Sequence, residues 1–259
     1  MNPYMVVYKH MDSSIPHHPP VHVDISVMSW NASGLNYSAV MLAGLKQTIR
    51  EHSPTVILLQ EVHPEQQVAL RSSFASTYVF AAGDHYATHS LLIGVRSPAN
   101  LYNAVFSPFV TSTDSRGILS ALMQCSGKSI KLTTTHLESG LDASPIRREQ
   151  FAELLQTDAH LIAGDFNIRE AEIDRHTFNQ HWRDAWVVRG QDETRRYTWD
   201  AHKNSRIPAF ERKPRFRFDR CFIRKDDAFE ILDFRLIMST FKETHPSDHF
   251  ALIVSLRLR

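Results

Sequence analysis

Ile118-Leu119-Ser120-Ala121-Leu122-Met123-Gln124 and Ile130-Lys131-Leu132-Thr133-Thr134-Thr135-His136 are two strand-like runs separated by a turn at Ser126-Gly127-Lys128. So short a connection joins antiparallel neighbours, because parallel strands need a crossover of about a dozen residues or more. An all-parallel, doubly wound sheet is therefore not expected. Further strands are expected over 78–82, 90–95, 161–164, 219–223 and 251–256, with helices over about 144–155 and 172–181. Ser144 and Pro145 read as an N-cap and first-turn pair for the former helix. Near the start, Val23-Asp24-Ile25-Ser26-Val27-Met28-Ser29-Trp30 alternates its faces, and Leu42, Leu45 and Ile49 then follow at helical spacing. Val56-Ile57-Leu58-Leu59 is a buried-strand candidate that ends at Gln60-Glu61, with Pro64 placed for the first turn of a helix. Strands outnumber helices. The expected class is α/β (α+β), a four-layer α/β/β/α sandwich of two largely antiparallel sheets flanked by helices.

Composition excludes several classes. The 259 residues carry 29 Lys/Arg against 28 Asp/Glu, and 42% are hydrophobic, which suits a packed core and not a disordered polyelectrolyte. A formal charge of +1 leaves any anion affinity to local clustering. One such cluster spans 195–225, where eleven Lys/Arg face three Asp/Glu and Tyr197, Trp199, Phe210 and Phe216 are interleaved. That mixture suits nucleic acid, with cations on phosphates and rings on bases, although a charge run is also a common solvated face. Two cysteines form at most one bridge and suit a reducing, intracellular setting. No apolar run approaches the length of a membrane span. Residues 1–20 lack an apolar signal-peptide region and read as a disordered tail, leaving 21–259 as a single catalytic domain.

Polar residues recur at the ends of the apolar strands: Asn31, Glu61, His136, Asp165 with Asn167, and Asp248 with His249. One alone is ordinarily a turn former. Two amides, three carboxylates and two imidazoles converging on one rim would hold a hard cation and handle a proton. Oxygen donors without cysteine favour Mg²⁺ or Mn²⁺ over zinc.

These residues sit in motifs. Trp30-Asn31, Leu59-Gln60-Glu61-Val62, Thr135-His136-Leu137-Glu138-Ser139, Gly164-Asp165-Phe166-Asn167, Arg217-Phe218-Asp219-Arg220 and Ser247-Asp248-His249, in that order, resemble the endonuclease/exonuclease/phosphatase superfamily. His136-Leu137-Glu138-Ser139, Asn167-Ile168-Arg169 and Tyr197-Thr198-Trp199-Asp200 with Asn204-Ser205 resemble its 5′-tyrosyl-DNA phosphodiesterase branch.

The resemblance implies that Glu61, with Asn31 and Asp248, holds one Mg²⁺ against a phosphate oxygen, with Mn²⁺ as a substitute. Asp165 and Asn167 position the attacking water, and His136 and His249, the latter oriented by Asp219, donate to phosphoryl oxygens. Arg116, Ser139, Arg169, Trp199, Ile207 and Phe210 contact the substrate strand. The implied reaction is hydrolysis of the phosphodiester between a topoisomerase II tyrosine and a DNA 5′ end, leaving a 5′-phosphate, in nuclear DNA repair; a monomer is the default expectation for the chain. An RNA-linked peptide fits the same pattern, since nothing legible reads a 2′-hydroxyl.

Rival readings are an abasic-site endonuclease, a deadenylase-like ribonuclease, a phosphoinositide phosphatase, and a silent nucleic-acid-binding module. Asp219 could instead pair with Arg217 or Arg220, and Trp199 could be core. Three positions depart from the family pattern: Ser33 replaces an aspartate, which favours one metal over two, Glu170 replaces an aspartate, and Phe250 replaces a tryptophan. The chain opens close to the catalytic domain, so the N-terminal ubiquitin-binding region of longer relatives is not expected.

Overall fold

The computed structural model describes residues 23–32, 38–83, 90–112, 114–210, 212–226 and 228–259. The tail expected over 1–20 and the substituted Ser33 lie outside them. Along the chain run β1 (Val23–Asn31), α1 (Ala39–His52), β2 (Val56–Val62), α2 (Pro64–Ser73), β3 (Tyr78–Ala82), β4 (Ser90–Arg96) and β5 (Asn100–Pro108). There follow β6 (Gly117–Cys125), β7 (Lys128–His136), α3 (Ser144–Leu155), β8 (Leu161–Asp165), α4 (Arg175–His181) and β9 (Trp182–Asp184). The last elements are α5 (Ala185–Val188), β10 (Trp199–Asp200), β11 (Arg215–Phe216), β12 (Asp219–Arg224), β13 (Phe229–Ile237) and β14 (Ala251–Leu258).

Two six-stranded sheets form, ordered β13-β14-β1-β2-β4-β3 and β5-β6-β7-β8-β12-β9. Each contains a single parallel pair, β1 with β2 and β7 with β8, and is otherwise antiparallel. Each parallel pair is connected through a helix, α1 in one sheet and α3 in the other, as a parallel crossover requires. The β6–β7 hairpin pairs Ile118 with Thr135 and Cys125 with Lys128, the antiparallel register its short turn demands.

Strand alternation builds the layers. Ile25 and Val27 of β1 and Val56 and Leu58 of β2 face inward against Leu119, Leu132 and Leu161 of the other sheet. Their neighbours Met28, Trp30, Ile57 and Leu59 face outward and pack on Leu42, Leu45 and Ile49 of α1. On the far side Phe151 and Leu154 of α3 cover Ile162, Phe166 and Phe222. The result is the four-layer α/β/β/α sandwich expected.

Caps set the helix ends. The Ser38 side chain accepts from the Met41 amide at the start of α1, and Pro64 opens α2 behind a His63–Gln66 capping box. α3 differs from expectation: Ala143 is the cap residue and has no side-chain cap bond, while Ser144 is already helical and hydrogen-bonds Glu172. The expected 172–181 helix is also shorter, because Glu170–Glu172 forms a separate 3₁₀ turn and α4 begins at Arg175. Glu172 turns its carboxylate back onto the Arg169 amide (2.7 Å), which closes that turn. Among the described residues no helix is long and apolar enough to cross a membrane.

Candidate active site

The parallel pairs decide where the polar residues meet. Asn31 closes β1, Glu61 lies one residue from the end of β2, His136 closes β7 and Asp165 closes β8. β12 runs antiparallel to β8, so its first residue, Asp219, lies opposite Asp165. β14 runs antiparallel to β1, and the Ser247-Asp248-His249 segment enters just before it. Carboxyl ends of parallel strands and amino ends of their antiparallel neighbours thus share one rim, the position where open sheets place ligands. Asn31 Nδ2 donates to Asp165 Oδ2 (2.9 Å) and ties the two sheets together across it. Below, Gln60 Nε2 donates to Thr134 Oγ1 (2.9 Å) and makes a second tie. Gly164 fits beside β7 only without a side chain, since a Cβ there would lie 2.2 Å from the Thr135 carbonyl oxygen.

Asp165 is the hub. Its Oδ1 accepts from the Asn167 amide (2.9 Å), and its Oδ2 lies 3.3 Å from His136 Nε2 and 3.6 Å from His249 Nε2. Burial pushes its carboxyl upward, but His249, His136 and the hydrogen bonds from His136 and Asn31 outweigh this and hold it well below the usual range. Arg116 Nη1 lies 2.5 Å from His136 Nδ1. A guanidinium only donates, so Nδ1 accepts, while Nε2 faces both Asp165 Oδ2 and, at 3.1 Å, Asn167 Nδ2. His249 Nδ1 lies 2.8 Å from Asp219 Oδ2. Burial opposes charge on His249, yet Asp219 and Asp165 raise its pKa well above the ordinary value and keep it an imidazolium. Ser247 Oγ donates to the Asn31 carbonyl (2.7 Å) and accepts from the His249 amide (3.0 Å), clamping the last motif to the first.

Glu61 is placed by a bulge. Between Leu59↔Leu92 and Val62↔Ser90, β2 spends one residue more than β4, and Glu61 takes a left-handed backbone with φ 50°. Asn167 does the same with φ 49°. Such conformations cost a residue other than glycine about 1–2 kcal/mol and concentrate at functional sites. Among the described residues no hydrogen bond reaches the Glu61 carboxylate, whose Oε1 lies 3.8 Å from His136 Nδ1.

Among the described residues, one group brings its potential ligand atoms within 4.8 Å: Asp165, Asp219 and His249. It is not the expected trio of Glu61, Asn31 and Asp248, and its members already serve one another through the Asp219–His249 bond. Glu61, one-sixth exposed and without a hydrogen bond among the described residues, is an oxygen donor open to a cation, and so is Asp219 Oδ1 within the group. This oxygen-rich donor set fits a hard divalent cation.

The expected substrate residues form two groups. Trp199 is half-buried, and its ring lies 6.0 Å from Phe210, 6.0 Å from Phe216 and 6.4 Å from Phe218. Phe216 and Phe218 stack at 4.8 Å, and the Arg169 guanidinium sits over Phe216 at 5.5 Å. Trp199 Nε1 donates to Asp248 Oδ2 (3.3 Å), which joins this aromatic cluster to the rim. Phe210 is exposed, while Ile207 is buried and offers little surface to a strand. On the other side Arg116 meets His136, and Ser139 is exposed just beyond β7.

Several supporting residues escape sequence reasoning. Arg147, fully buried, donates to the Glu138 and Gly140 carbonyls and to the Glu172 carboxylate (2.7 Å). It thereby ties the loop after β7 to the loop after β8. Glu138 is fixed by Gln150 and Ser112, and Ser112 Oγ accepts from the Arg116 amide (2.7 Å). Thr198 Oγ1 accepts from the Phe218 and Asp219 amides (3.1 and 3.0 Å). The basic 195–225 stretch is not a uniform patch: Arg217 and Arg220 are buried against Glu170 and Asp184, not paired with Asp219, and Arg224 caps backbone carbonyls. Lys203, Arg212, Lys213 and Arg215 remain exposed.

Two sheets in this order, carrying this rim of carboxylates, amides and imidazoles, define a phosphoesterase-like scaffold. The chain belongs to the endonuclease/exonuclease/phosphatase family, which matches residues 28–249. Family and buried Asp/Asp/His cluster together mark a site for a divalent metal. More particularly, the chain is 32% identical over 246 residues to tyrosyl-DNA phosphodiesterase 2 of Xenopus tropicalis, covering 88% of this chain and 65% of that protein. It is 30% identical over 249 residues to the Rattus norvegicus protein of the same name, covering 90% and 67%. The chain thus spans about two thirds of the length of these relatives. A crystal structure of D. rerio TDP2 complexed with single strand DNA product superposes with a TM-score of 0.82 at 29% identity, covering 90% of this chain and 98% of that one.

Proposed function

We propose that this chain is a Mg²⁺-dependent 5′-tyrosyl-DNA phosphodiesterase that hydrolyses the bond between tyrosine and a DNA 5′-phosphate. Residues 21–259 act as one catalytic domain. The observation that carries the reading is the Trp199–Asp248 bond, which sets a base-stacking aromatic cluster directly against a carboxylate of the rim. Base–aromatic stacking is tolerant of sequence and suits a single-stranded end. Similarity to relatives named for this activity supports the same conclusion.

Glu61, Asn31 and Asp248 would hold Mg²⁺, with Mn²⁺ as a substitute, and the ion supplies charge neutralisation at a non-bridging phosphate oxygen. Asp165, fixed by Asn31 and the Asn167 amide, orients the attacking water and accepts its proton. Asn167 holds that water from the other side. The His249 imidazolium, oriented by Asp219, and His136, oriented by Arg116, donate to the phosphoryl oxygens as negative charge grows. Tyrosine, with a phenol pKa of about 10, departs with less protonation than an alkyl alcohol needs. Arg116, Ser139, Arg169, Trp199 and Phe210 grip the strand, and Ile207, being buried, adds little apolar surface to it. The substrate in cells is a DNA end blocked by a trapped topoisomerase II, handled in the nucleus by a monomer.

Cleavage of a single-stranded oligonucleotide carrying a 5′-phosphotyrosine, with and without Mg²⁺, tests this directly. Metal-dependent release of tyrosine and a 5′-phosphorylated product is expected. Selective cutting of an abasic-site duplex or a plain RNA tail under the same conditions would replace the substrate assignment.

A further inference from the structure

Behind the rim, under α4 and α5 and against β9 and β12, lies a cavity of about 310 Å³. Nine buried side-chain nitrogens and oxygens lack a partner among the described residues. Five belong to residues lining this one cavity: Trp182 Nε1, Arg183 Nε, Arg196 Nε, and Nε and Nη1 of Arg220. All five are N–H donors, and none is an acceptor. Five cations line the space, Arg183, Arg196, Arg217, Arg220 and Lys225, against two carboxylates, Glu170 and Asp184. Glu170 and Asp184 are already shared between Arg217 and Arg220. Arg220 is 1% exposed, and its Nη1 finds only Asp184 at 3.6 Å. Burial, and after it the neighbouring Arg217, hold its pKa down to about 10 against the opposing pull of Asp184 and Glu170. The rest of the wall is aromatic and aliphatic, from Phe178, Trp182, Trp186 and Phe222 to Val187 and Val188 at the exposed end, with the polar Asn179 and Gln191 among them.

Surplus positive charge, aromatic walls and unpartnered donors buried just behind them, around one partly open space, favour a ligand that brings acceptors, negative charge and a flat apolar body. Arginine forks suit phosphate in particular, and the volume lies at the lower end of about 300–1,000 Å³ for small-molecule sites. We propose that this cavity is a second binding site, separate from the catalytic rim, for a small phosphate monoester on a planar body, of the size of a mononucleotide. Glu170, Arg196, Arg217 and Arg220 also line a smaller cavity that reaches Phe216 and Phe218. The ligand would therefore sit back to back with the aromatic cluster of the rim.

The four tryptophans give the test its readout, because each indole N–H yields one assignable signal in a proton–nitrogen NMR spectrum. Adenosine monophosphate is titrated into the full chain whose rim has first been saturated with a 5′-phosphorylated single-stranded oligonucleotide, too large for the cavity. The Trp182 signal is expected to shift saturably while the Trp199 signal stays where the oligonucleotide put it. Val188→Phe, which narrows the exposed end, and Arg196→Glu, which reverses a lining charge, are each expected to weaken that response at least tenfold. Inorganic phosphate and unphosphorylated adenosine, titrated in parallel, are expected to bind more weakly than the monophosphate. A Trp182 signal that never moves would overturn the site, and so would equal affinity in parent and both variants. Adenosine binding as tightly as its monophosphate would overturn the phosphate assignment.

Discussion

His249 Nδ1 lies 2.8 Å from Asp219 Oδ2, and both residues are buried where β12 and β14 begin. The contact keeps the imidazole charged and aims Nε2 toward Asp165. Asp219→Asn removes the charge while keeping the shape. The expected result is a fall in kcat of roughly 10²–10³, the loss typical of one donor to a developing oxyanion. KM for the oligonucleotide should change little, because Asp219 does not face the strand. A variant with parental kcat would remove His249 from the reaction.

Glu61 separates function from stability. Its left-handed backbone is tolerated by glycine but costs alanine about 1–2 kcal/mol. Glu61→Gly and Glu61→Ala should both lose metal-dependent turnover, since each deletes a cation ligand, while affinity for a 5′-phosphorylated strand holds or rises. Thermal melting should show Glu61→Gly as the more stable of the two by about 1 kcal/mol. Parental turnover in either variant would end the ligand assignment.

Elements with one apolar buried face are written in residue type, which is why Leu42, Leu45 and Ile49 mark α1, whereas α3 buries Arg147 and Gln150 beside Phe151 and Leu154 and is marked instead by Ser144-Pro145 at its start. β5 leaves no such mark, because at the edge of its sheet its residues are mostly exposed. β13 is obscured by a bulge between Ile231 and Asp233 that breaks the alternation. The rim was legible since its residues end apolar runs. The left-handed turn of Glu61 was not, because it arises from a mismatch with β4, roughly thirty residues away. Arg147 was equally hidden: its partner Glu172 is 25 residues distant and lies in a turn without periodicity. Long-range polar pairs leave no local pattern.

Trp199 tests the stacking surface. Its ring packs with Phe210, Phe216 and Phe218 but remains half-exposed, so Trp199→Ala opens a surface and does not empty the core. Binding of single-stranded ends should weaken by about 1–3 kcal/mol, the cost of losing one stacked base. Fluorescence anisotropy on a catalytically silent Glu61→Gln background reads this without turnover. Unaltered affinity in a folded Trp199→Ala variant would return the ring to a packing role.

Arg147 and Glu172 make the acid response predictable. The Glu172 carboxyl opposes its own burial through hydrogen bonds from Arg147, Ser144 and the Arg169 amide, and its pKa falls from 4.5 to about 2. Glu170 reaches about 2 as well, held against its burial by Arg220 and Arg217. A carboxyl whose pKa is lower when folded contributes stability above its unfolded value and loses it as pH falls through the folded value. Stability should therefore decline between about pH 4.5 and about pH 2, and urea midpoints measured across that window should fall. Glu172→Gln should flatten the decline while lowering stability at neutral pH. Arg147→Met should cost about 1–3 kcal/mol at neutral pH, since it leaves the Glu138 and Gly140 carbonyls without this donor and Glu172 with only Ser144 and Arg169. A Glu172→Gln chain with the parental acid slope would show that the Arg147 pair does not govern the acid response.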